Sequence, residues 1–276
     1  MERFLKYLET QDLRRVSDGV LTLDDSTSGL LQVAIDPTTL SVESSAMSRA
    51  TQLIIVRGAE SGSVKINIAA GSSLNLLEVL FDGAESDVEI TQGDSSKLHS
   101  TILQIAKSSV RCIVNLDGRG AESEVNILQL ATGEDKVVMD LRLSHNVSDC
   151  SSRSLSKCVA SGSSTGEFHG LVYVAQDAQR TLAEQSSRNV QLSPMARIVA
   201  EPQLEIYADD VKCSHGATVG QMNQEAIYYM MQRGLSEEQA RKLQLDGFVS
   251  EVTQRCSIEG LCEGLSQMVR ERLGEL

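Results

Sequence analysis

Short stretches of alternating apolar and polar residues fill the chain from about residue 29 to residue 205. Such a period of two is typical of strands with one face buried, and each stretch is bounded by Gly, Ser, Asp or Asn. The clearest examples are residues 64–68, 88–90, 110–116, 125–130 and 137–143. The pattern predicts a mainly β domain built from many short strands.

A short motif recurs between these strands. Gly-Ala-Glu-Ser occurs at residues 58–61, 83–86 and 120–123, each time between two apolar stretches. We interpret it as one turn used three times, with chance reuse of a polar turn as the alternative. Short strands with a recurring turn favour a β-solenoid over a β-sandwich.

The pattern changes to a helical period at both ends of the chain. Residues 1–16 predict a short amphipathic helix, followed by a polar loop over residues 17–28. Residues 224–233 predict a second helix that ends at Gly234. We therefore divide the chain into an N-terminal helix and loop (1–28), a β-helix core (29–220) and a helical domain (221–276).

Two further helices are predicted within the helical domain. Ser236 and Gln239 form a capping box at the start of one helix, whose apolar face includes Ala240, Leu245 and Val249. The other is predicted over about residues 258–273.

Composition narrows the fold and the function. The chain has 276 residues, of which 41% are hydrophobic and only 3% aromatic, with no Trp. A core of small branched side chains suits the thin layers of a solenoid. A polysaccharide-active β-solenoid enzyme is a distant alternative. It would need paired carboxylates and an aromatic-lined groove, and this chain has few aromatic residues and no Trp. The net charge of -13 disfavours nucleic acid as a partner, and no apolar run approaches the roughly 20 residues of a membrane span.

Six cysteines occur without a Cys-x-x-Cys pair. The first residues lack the apolar core of a signal peptide, so we expect reduced thiols in the cytoplasm. Cys112 lies in an alternating strand and is predicted to be core, and Cys256 and Cys262 are predicted to serve packing in the helical domain. Cys150 and Cys158 flank a Ser-rich segment; they are candidates for accepting sulfur, with core or turn roles as the alternative.

The strongest candidate for chemistry is the pair Cys213 and His215, which follows Asp209 and Asp210. Thiolate and imidazole are ligands for soft and borderline metals, including iron in iron–sulfur clusters. Two ligands do not complete such a site, so others must come from elsewhere. Asp209, Asp210 and Glu205 are hard ligands that could hold iron before sulfide arrives.

Each of these residues also has an ordinary structural interpretation. Cys213 can be a buried core residue, His215 a turn residue before Gly216, and the two aspartates a solvated turn. His169 is a second candidate histidine, with a hydrogen-bonded strand residue as the alternative.

Residues 202–220, PQLEIYADDVKCSHGATVG, resemble the signature of the SufB/SufD family, the scaffold subunits of the SUF machine for iron–sulfur cluster assembly. The resemblance continues through residues 225–229, 233–236, 238–240 and 247–248. Upstream it includes residues 168–174 and 178–181, together with Gln185, Arg188 and Asn189.

The resemblance implies a right-handed parallel β-helix followed by a small α-helical domain. It implies a non-catalytic scaffold whose subunits pair through their β-helix cores and whose C-terminal helices dock an ABC-type ATPase, SufC. Tyr228, Tyr229 and Arg233 are the docking residues it suggests in this chain. The chain has no G-x-x-x-x-G-K-[ST] sequence, so we expect ATP hydrolysis on a separate subunit.

The resemblance also bears on the candidate ligands. Cys213 and His215 match the SufD-type Cys-x-His-Gly pattern, and Gly216 stands where SufB-type chains have glutamate. We expect a homodimer in which a twofold axis brings together two thiolates and two imidazoles, enough for a transient cluster. The alternative is a SufD-like partner of a separate SufB-like subunit, without a cluster of its own. The type of cluster and the sulfur donor are left open.

Overall fold

The computed structural model describes residues 1–11, 13–24, 27, 31–48, 51–258 and 260–274. Within these residues the chain forms 17 strands and four helices. Successive strands alternate between two sheets, and each strand pairs in parallel with the strand two places further along the chain. This arrangement is a parallel β-solenoid, which confirms the predicted fold class.

The odd-numbered strands form one sheet of nine strands among the described residues. They are β1 Leu13–Val16, β3 Leu31–Ile35, β5 Thr51–Arg57, β7 Ser73–Leu80, β9 Lys97–Gln104, β11 Glu122–Ala131, β13 Ser151–Ala160, β15 Leu182–Gln191 and β17 Lys212–Gly220. The even-numbered strands form a second sheet of eight in the same part of the chain. They are β2 Gly19–Leu23, β4 Thr39–Ser44, β6 Ser61–Ile68, β8 Ala84–Gln92, β10 Ser108–Leu116, β12 Lys136–His145, β14 Thr165–Val174 and β16 Arg197–Ile206.

The two sheets differ in how many faces they bury. Strands of the even sheet alternate between buried and more exposed residues, so only their inward face is covered. In β5, β7 and β9 nearly every residue is buried, which explains continuous apolar runs such as Leu53-Ile54-Ile55-Val56. Something must therefore cover the outer face of the odd sheet.

Helices provide that cover. The helices are α1 Glu2–Leu8, α2 Gln224–Gln232, α3 Glu237–Thr253 and α4 Cys262–Leu273. Side chains such as Leu8, Val252 and Val269 join a buried cluster with the outward residues Val56 and Leu128 of the odd sheet. The helical domain thus folds back along the solenoid. No helix of the described chain is long and apolar enough to cross a membrane.

A buried lysine fixes α3 to the sheet. Lys157 on β13 is 2% exposed. Its ammonium group donates to the backbone oxygen of Phe248 at 2.7 Å, pairs with Glu251 at 2.5 Å and lies 4.3 Å from the centre of the Phe248 ring. Glu251 also pairs with Arg255 and Arg188. This buried contact ties the helical domain directly to one strand of the solenoid.

The N-terminal segment differs from its prediction. The helix ends at Leu8, and Leu13–Val16 and Gly19–Leu23 are strands, where we predicted a helix to residue 16 and then a loop. Parallel pairing with β3 and β4 supplies hydrogen-bond partners for these backbones, which outweighs the helical spacing of the apolar residues. Part of the predicted loop, residues 25, 26 and 28, lies outside the described residues.

The other helix predictions were close. Both α2 and α3 were predicted correctly, and the capping box of Ser236 and Gln239 is present. The last helix begins at Cys262, four residues later than predicted.

The Gly-Ala-Glu-Ser turns are not one turn used three times. Residues 58–61 lead from β5 to β6, and residues 83–86 lead from β7 to β8, so these two copies lie at the same corner. Residues 120–123 lead from β10 to β11, at the opposite corner. The prediction of a shared turn is therefore wrong for the third copy.

An ion pair lies inside the solenoid. Arg57 and Glu78 are each fully buried, with 3.1 Å between Arg57 Nε and Glu78 Oε1. Arg57 also donates to Ser86 Oγ at 2.9 Å and to the Pro37 carbonyl at 2.7 Å. Gly62 makes room for the guanidinium group, because a Cβ there would lie 2.3 Å from Arg57 Nη1.

We predict that Glu78→Leu alone lowers the free energy of unfolding by about 3–5 kcal/mol, because it leaves the Arg57 charge buried without its partner. The double variant Arg57→Met/Glu78→Leu should regain most of that loss, since apolar side chains of similar size pack well there. Urea unfolding of the two single variants and the double variant measures this. Additive losses in the double variant would contradict it.

A buried histidine makes the fold sensitive to acid. His145 is fully buried and its Nε2 lies 2.8 Å from Ser152 Oγ. Burial lowers the pKa of His145 from 6.5 to about 4. Between these values the unfolded chain binds a proton that the folded chain does not, so stability falls as the pH falls.

We predict that this histidine accounts for about 3 kcal/mol of the stability lost between pH 7 and pH 4. His145→Leu should flatten the pH dependence of unfolding by that amount, whatever its effect at pH 7. Urea unfolding at a series of pH values gives the comparison. Identical slopes for the two proteins would rule out His145 as the cause.

Candidate functional site

The solenoid ends in an open layer. In the described chain β16 and β17 are the last strands of their sheets, and neither has a neighbour on its outer edge. Every residue of β17 except Cys213 is exposed. The outward backbone N–H and C=O groups of both strands are therefore available to another chain.

Cys213 and His215 lie together on this open layer. Register places Cys213 above Ala183 and His215 above Gln185, both of which are inward-facing and buried. Alternate residues of a strand face the same way, so both candidate ligands face the interior, with their Cα atoms about 7 Å apart. Cys213 is half-buried against the core, while His215 is exposed because no further layer covers it.

The Cys213 thiol is held in its protonated form. Burial raises its pKa, and a hydrogen bond from the Ala183 backbone opposes that rise only in part. A metal that binds here must displace the proton. The remaining ligands must come from outside, because no group of three or more His, Cys, Asp or Glu side chains suited to a metal occurs among the described residues.

The three acidic candidates do not join the pair on its inward face. Asp209 and Asp210 are exposed in the turn between β16 and β17. Asp210 exchanges hydrogen bonds with its neighbours through its backbone, donating to Gln179 and accepting from Arg180. Glu205 lies on the exposed, outward face of β16. A role for these carboxylates in holding iron stays a prediction.

Beneath the open layer the interior becomes polar, which sequence reasoning missed. The inward positions of β15 include Gln185, Ser187 and Asn189, and those of β13 include Ser152, Ser154 and Ser156. In earlier strands of the odd sheet the inward residues are mostly apolar, as in β7. Strict alternation of Ser over residues 152–156 was the available signal, but a polar alternating pattern is normally assigned to the solvent face.

The two sulfur-relay candidates are buried thiols. Cys150 donates to the Gly118 carbonyl at 3.2 Å, and burial raises its pKa. Cys158 faces the interior of β13, where burial raises its pKa to about 12. Gly166 accommodates it, because a Cβ there would lie 2.3 Å from the Cys158 sulfur.

The other thiols and the second histidine are structural. All six cysteines are unpaired, and Cys112 and Cys256 are buried as predicted, with Cys262 partly buried beside Cys256. His169 lies on the outer face of the even sheet, 3.1 Å from Glu201, and so belongs to a different surface from Cys213. Its interpretation as a hydrogen-bonded strand residue is confirmed.

A surface groove can be compared with what a polysaccharide-active enzyme needs, which is a pair of carboxylates in an aromatic-lined groove. It has a volume of about 430 Å³ on the odd sheet, and its lining contains no aromatic residue. The carboxylate of Glu184 in this groove lies 3.3 Å from Arg153, and that of Glu124 lies 3.6 Å from Arg255. Both carboxylates are therefore engaged in ion pairs with arginine and do not form a carboxylate pair with each other.

The docking candidates form an exposed aromatic patch on α2. Tyr228 and Tyr229 are 64% and 59% exposed. Arg233 donates to Tyr229 Oη at 3.0 Å, and its guanidinium carbon lies 5.2 Å from the centre of that ring. Met231 and Leu243 are exposed large apolar residues of α2 and α3. Exposed aromatic, Met and Arg side chains are typical of a protein interface.

Comparison with known proteins agrees with this arrangement. Escherichia coli (strain K12) "Iron-sulfur cluster assembly protein SufD" is 34% identical over 218 residues, covering 76% of this chain and 50% of that protein. An iron-sulfur cluster assembly SufBD family protein of Synechocystis sp. is 35% identical over 64% of this chain and 42% of its own length. "Protein ABCI7, chloroplastic" of Arabidopsis thaliana is 42% identical over 38% of this chain and 22% of its own.

The chain thus spans about half the length, or less, of these curated relatives. A family model matches most of this chain. Residues 37–248 match the model described as "SUF system FeS cluster assembly, SufBD core domain", which includes nearly the whole solenoid, its open layer and most of α3. The chain therefore belongs to the SufB/SufD family of iron–sulfur cluster assembly proteins.

Proposed function

We propose that this protein is a non-catalytic scaffold on which an iron–sulfur cluster is assembled at an interface between two subunits. The observation that carries the proposal is the position of Cys213 and His215, which share the inward face of an uncovered last strand. A second chain that covers this strand would both pair its backbone and enclose the two ligands. The cluster is cargo, held until it is passed on.

A homodimer accounts for the missing ligands. Twofold symmetry places identical surfaces opposite each other, so a contact between two open layers doubles the set to two thiolates and two imidazoles. Four such ligands suffice for an iron–sulfur cluster. The exposed carboxylates of Asp209 and Asp210 at the adjacent corner are available to hold iron beforehand.

Gly216 favours a second possibility, a SufD-like subunit that completes the site of a SufB-like partner. A Cβ at Gly216 would meet no atom within 4 Å, so packing does not demand a glycine there. The chain therefore lacks a carboxylate at a position that has room for one. In this alternative the partner supplies the further ligands and this chain holds no cluster alone.

Sulfur delivery is part of the same proposal. Cys150 and Cys158 are the candidate relay thiols, and Cys158 faces the interior two layers below the open end. Because burial raises the pKa of both thiols, neither is a ready nucleophile in this conformation. Their participation requires the layers to separate, and the sulfur donor is not identified.

The ATPase partner is assigned to the helical side. The exposed patch of Tyr228, Tyr229 and Arg233 is the proposed docking surface for a SufC-like ABC ATPase in the cytoplasm. Movement of a docked subunit would reach the solenoid through α3, whose Phe248 and Glu251 hold Lys157 on β13. The proposal thus links ATP hydrolysis on a separate subunit to the layers near the site.

We predict that Cys213→Ser and His215→Ala each lose most of the cluster, because each removes two of four ligands from a homodimer. Cys262→Ser, a matched change in a partly buried thiol of α4, should retain it. The measurements are iron and sulfide content and visible absorbance after anaerobic reconstitution, together with the native mass.

A native mass of two scaffold chains that retains cluster supports the homodimer. A single chain that binds cluster only after a SufB-like subunit is added supports the alternative. Undiminished cluster in both ligand variants would overturn the proposal.

We predict that Tyr228→Ala/Tyr229→Ala weakens binding of the ATPase by about 2 kcal/mol or more, roughly 30-fold in Kd, as expected for central aromatic residues of an interface. Tyr207→Ala is the matched control, because Tyr207 is 60% exposed but lies on the solenoid, at the corner after β16. Calorimetric titration of the scaffold with the ATPase measures both. Equal affinities for the two variants would place the docking surface elsewhere.

A further inference from the structure

A buried amide lies directly beneath the candidate histidine. Gln185 on β15 is 1% exposed, and neither Oε1 nor Nε2 has a hydrogen-bond partner. Leaving both polar atoms of an amide unpaired away from water is costly, so such a group calls for a specific explanation. The register pairs Gln185 with His215 above it and with Ser154 below it.

The surroundings of Gln185 keep its amide in one place. On the facing sheet, a Cβ at Gly170 would lie 2.4 Å from Gln185 Nε2 and 2.8 Å from its Cδ. The bare backbone of this glycine therefore accommodates the amide. Pro202 lies above Gly170 in register and has no N–H group to offer. Of the two residues in the next layer that lie in register with Gln185 and Gly170, His215 has a polar side chain and Pro202 does not.

We propose that Gln185 is a positioning residue, whose amide hydrogen-bonds one ring nitrogen of His215 and so directs the other nitrogen toward the metal. The inference rests on the proposed role of His215 as a ligand and deepens it. Histidine ligands usually bond their second nitrogen to a fixed partner, which sets the tautomer and the orientation of the ring. An amide suits this role because it offers both a donor and an acceptor to a neutral imidazole.

The geometry allows this contact to form. Neighbouring strands lie about 4.8 Å apart, and side chains in register on one face contact each other. The ring of His215 is exposed and uncovered, so rotation about its side-chain bonds can bring it over the amide. Ala183, the residue beneath Cys213, is small, and only its backbone hydrogen-bonds the thiol, so its side chain offers no competing polar group.

The test uses the 276-residue protein without metal and nitrogen-15 NMR of the imidazole rings. The chain has four histidines, so single substitutions assign each signal. We expect one dominant tautomer for His215 in the natural protein and a mixture in Gln185→Leu. Ser187→Ala is the matched control. Ser187 is equally buried on the same strand but pairs with Ala217, so its substitution should leave the His215 tautomer unchanged.

Two further measurements separate positioning from a structural role. Gln185→Leu should keep or raise the melting temperature, because it removes an unpaired buried amide, yet weaken binding of Co²⁺ by about 10- to 100-fold. His215→Ala, a change on an exposed strand, should shift the side-chain amide signals of Gln185. This second variant decides the question if Gln185→Leu does not fold.

An unchanged His215 tautomer in Gln185→Leu, or unmoved Gln185 signals in His215→Ala, would overturn the inference. Because both readouts need no metal, they are independent of cluster assembly. If Gln185 controls the tautomer but Cys213→Ser still assembles a full cluster, the proposed function fails while the positioning contact stands.

Discussion

The hydrogen-bond ladder between successive layers is the interaction on which this molecule depends. Each strand of a parallel solenoid satisfies its backbone only through a neighbour on both edges. Each layer of the solenoid supplies hydrogen-bond partners to the layer before it. This series stops at β16 and β17, which have no described strand beyond them. The same constraint that builds the fold thus leaves an open strand edge at each end of the described solenoid, on β1 and β2 at one end and on β16 and β17 at the other. Cys213 and His215 lie at the second of these ends, so in the proposed function one partner chain would complete both the ladder and the ligand set.

Burial on two faces explains the place of the helices. Because the odd-numbered strands β5 to β11 carry apolar residues on both faces, the odd sheet is stable only when something covers its outer side. The helical domain does so, with α3 held by the buried ammonium group of Lys157. The exposed aromatic patch of α2 is therefore linked, through a packed helix, to a strand whose opposite face lines the interior below the site. In the proposed function, an ATPase docked on this patch would act on those layers when it moves the helices.

The interior changes character along the solenoid. The early layers are mostly apolar, although they enclose the Arg57–Glu78 pair and amides such as Gln32 and Gln104, whereas β13 and β15 direct serines, Gln185 and Asn189 inward. Buried polar side chains stabilise a core less than leucine does. Several polar atoms of the β13 and β15 side chains have no hydrogen-bond partner. Unpaired buried atoms also occur in the early layers, for example on Gln32 and Gln92. Gln185 differs from these in its position, because it lies in register directly beneath His215, an exposed residue of the last strand.

The sequence by itself determined the fold class. Period-two alternation and small branched side chains favoured a β-solenoid, and the resemblance of residues 202–220 to the SufB/SufD signature implied a parallel β-helix. It also determined α2, α3 and the pair Cys213 and His215, whose spacing of two places them on one face of any strand. It misassigned β1 and β2, since local helical spacing says nothing of the pairing that a distant strand supplies. Nor could it show that Gly-Ala-Glu-Ser lies at two different corners, that the polar residues of β13 and β15 face inward, or that Gln185 lies beneath His215. These relations depend on the register between strands about 30 residues apart, which only the tertiary structure decides.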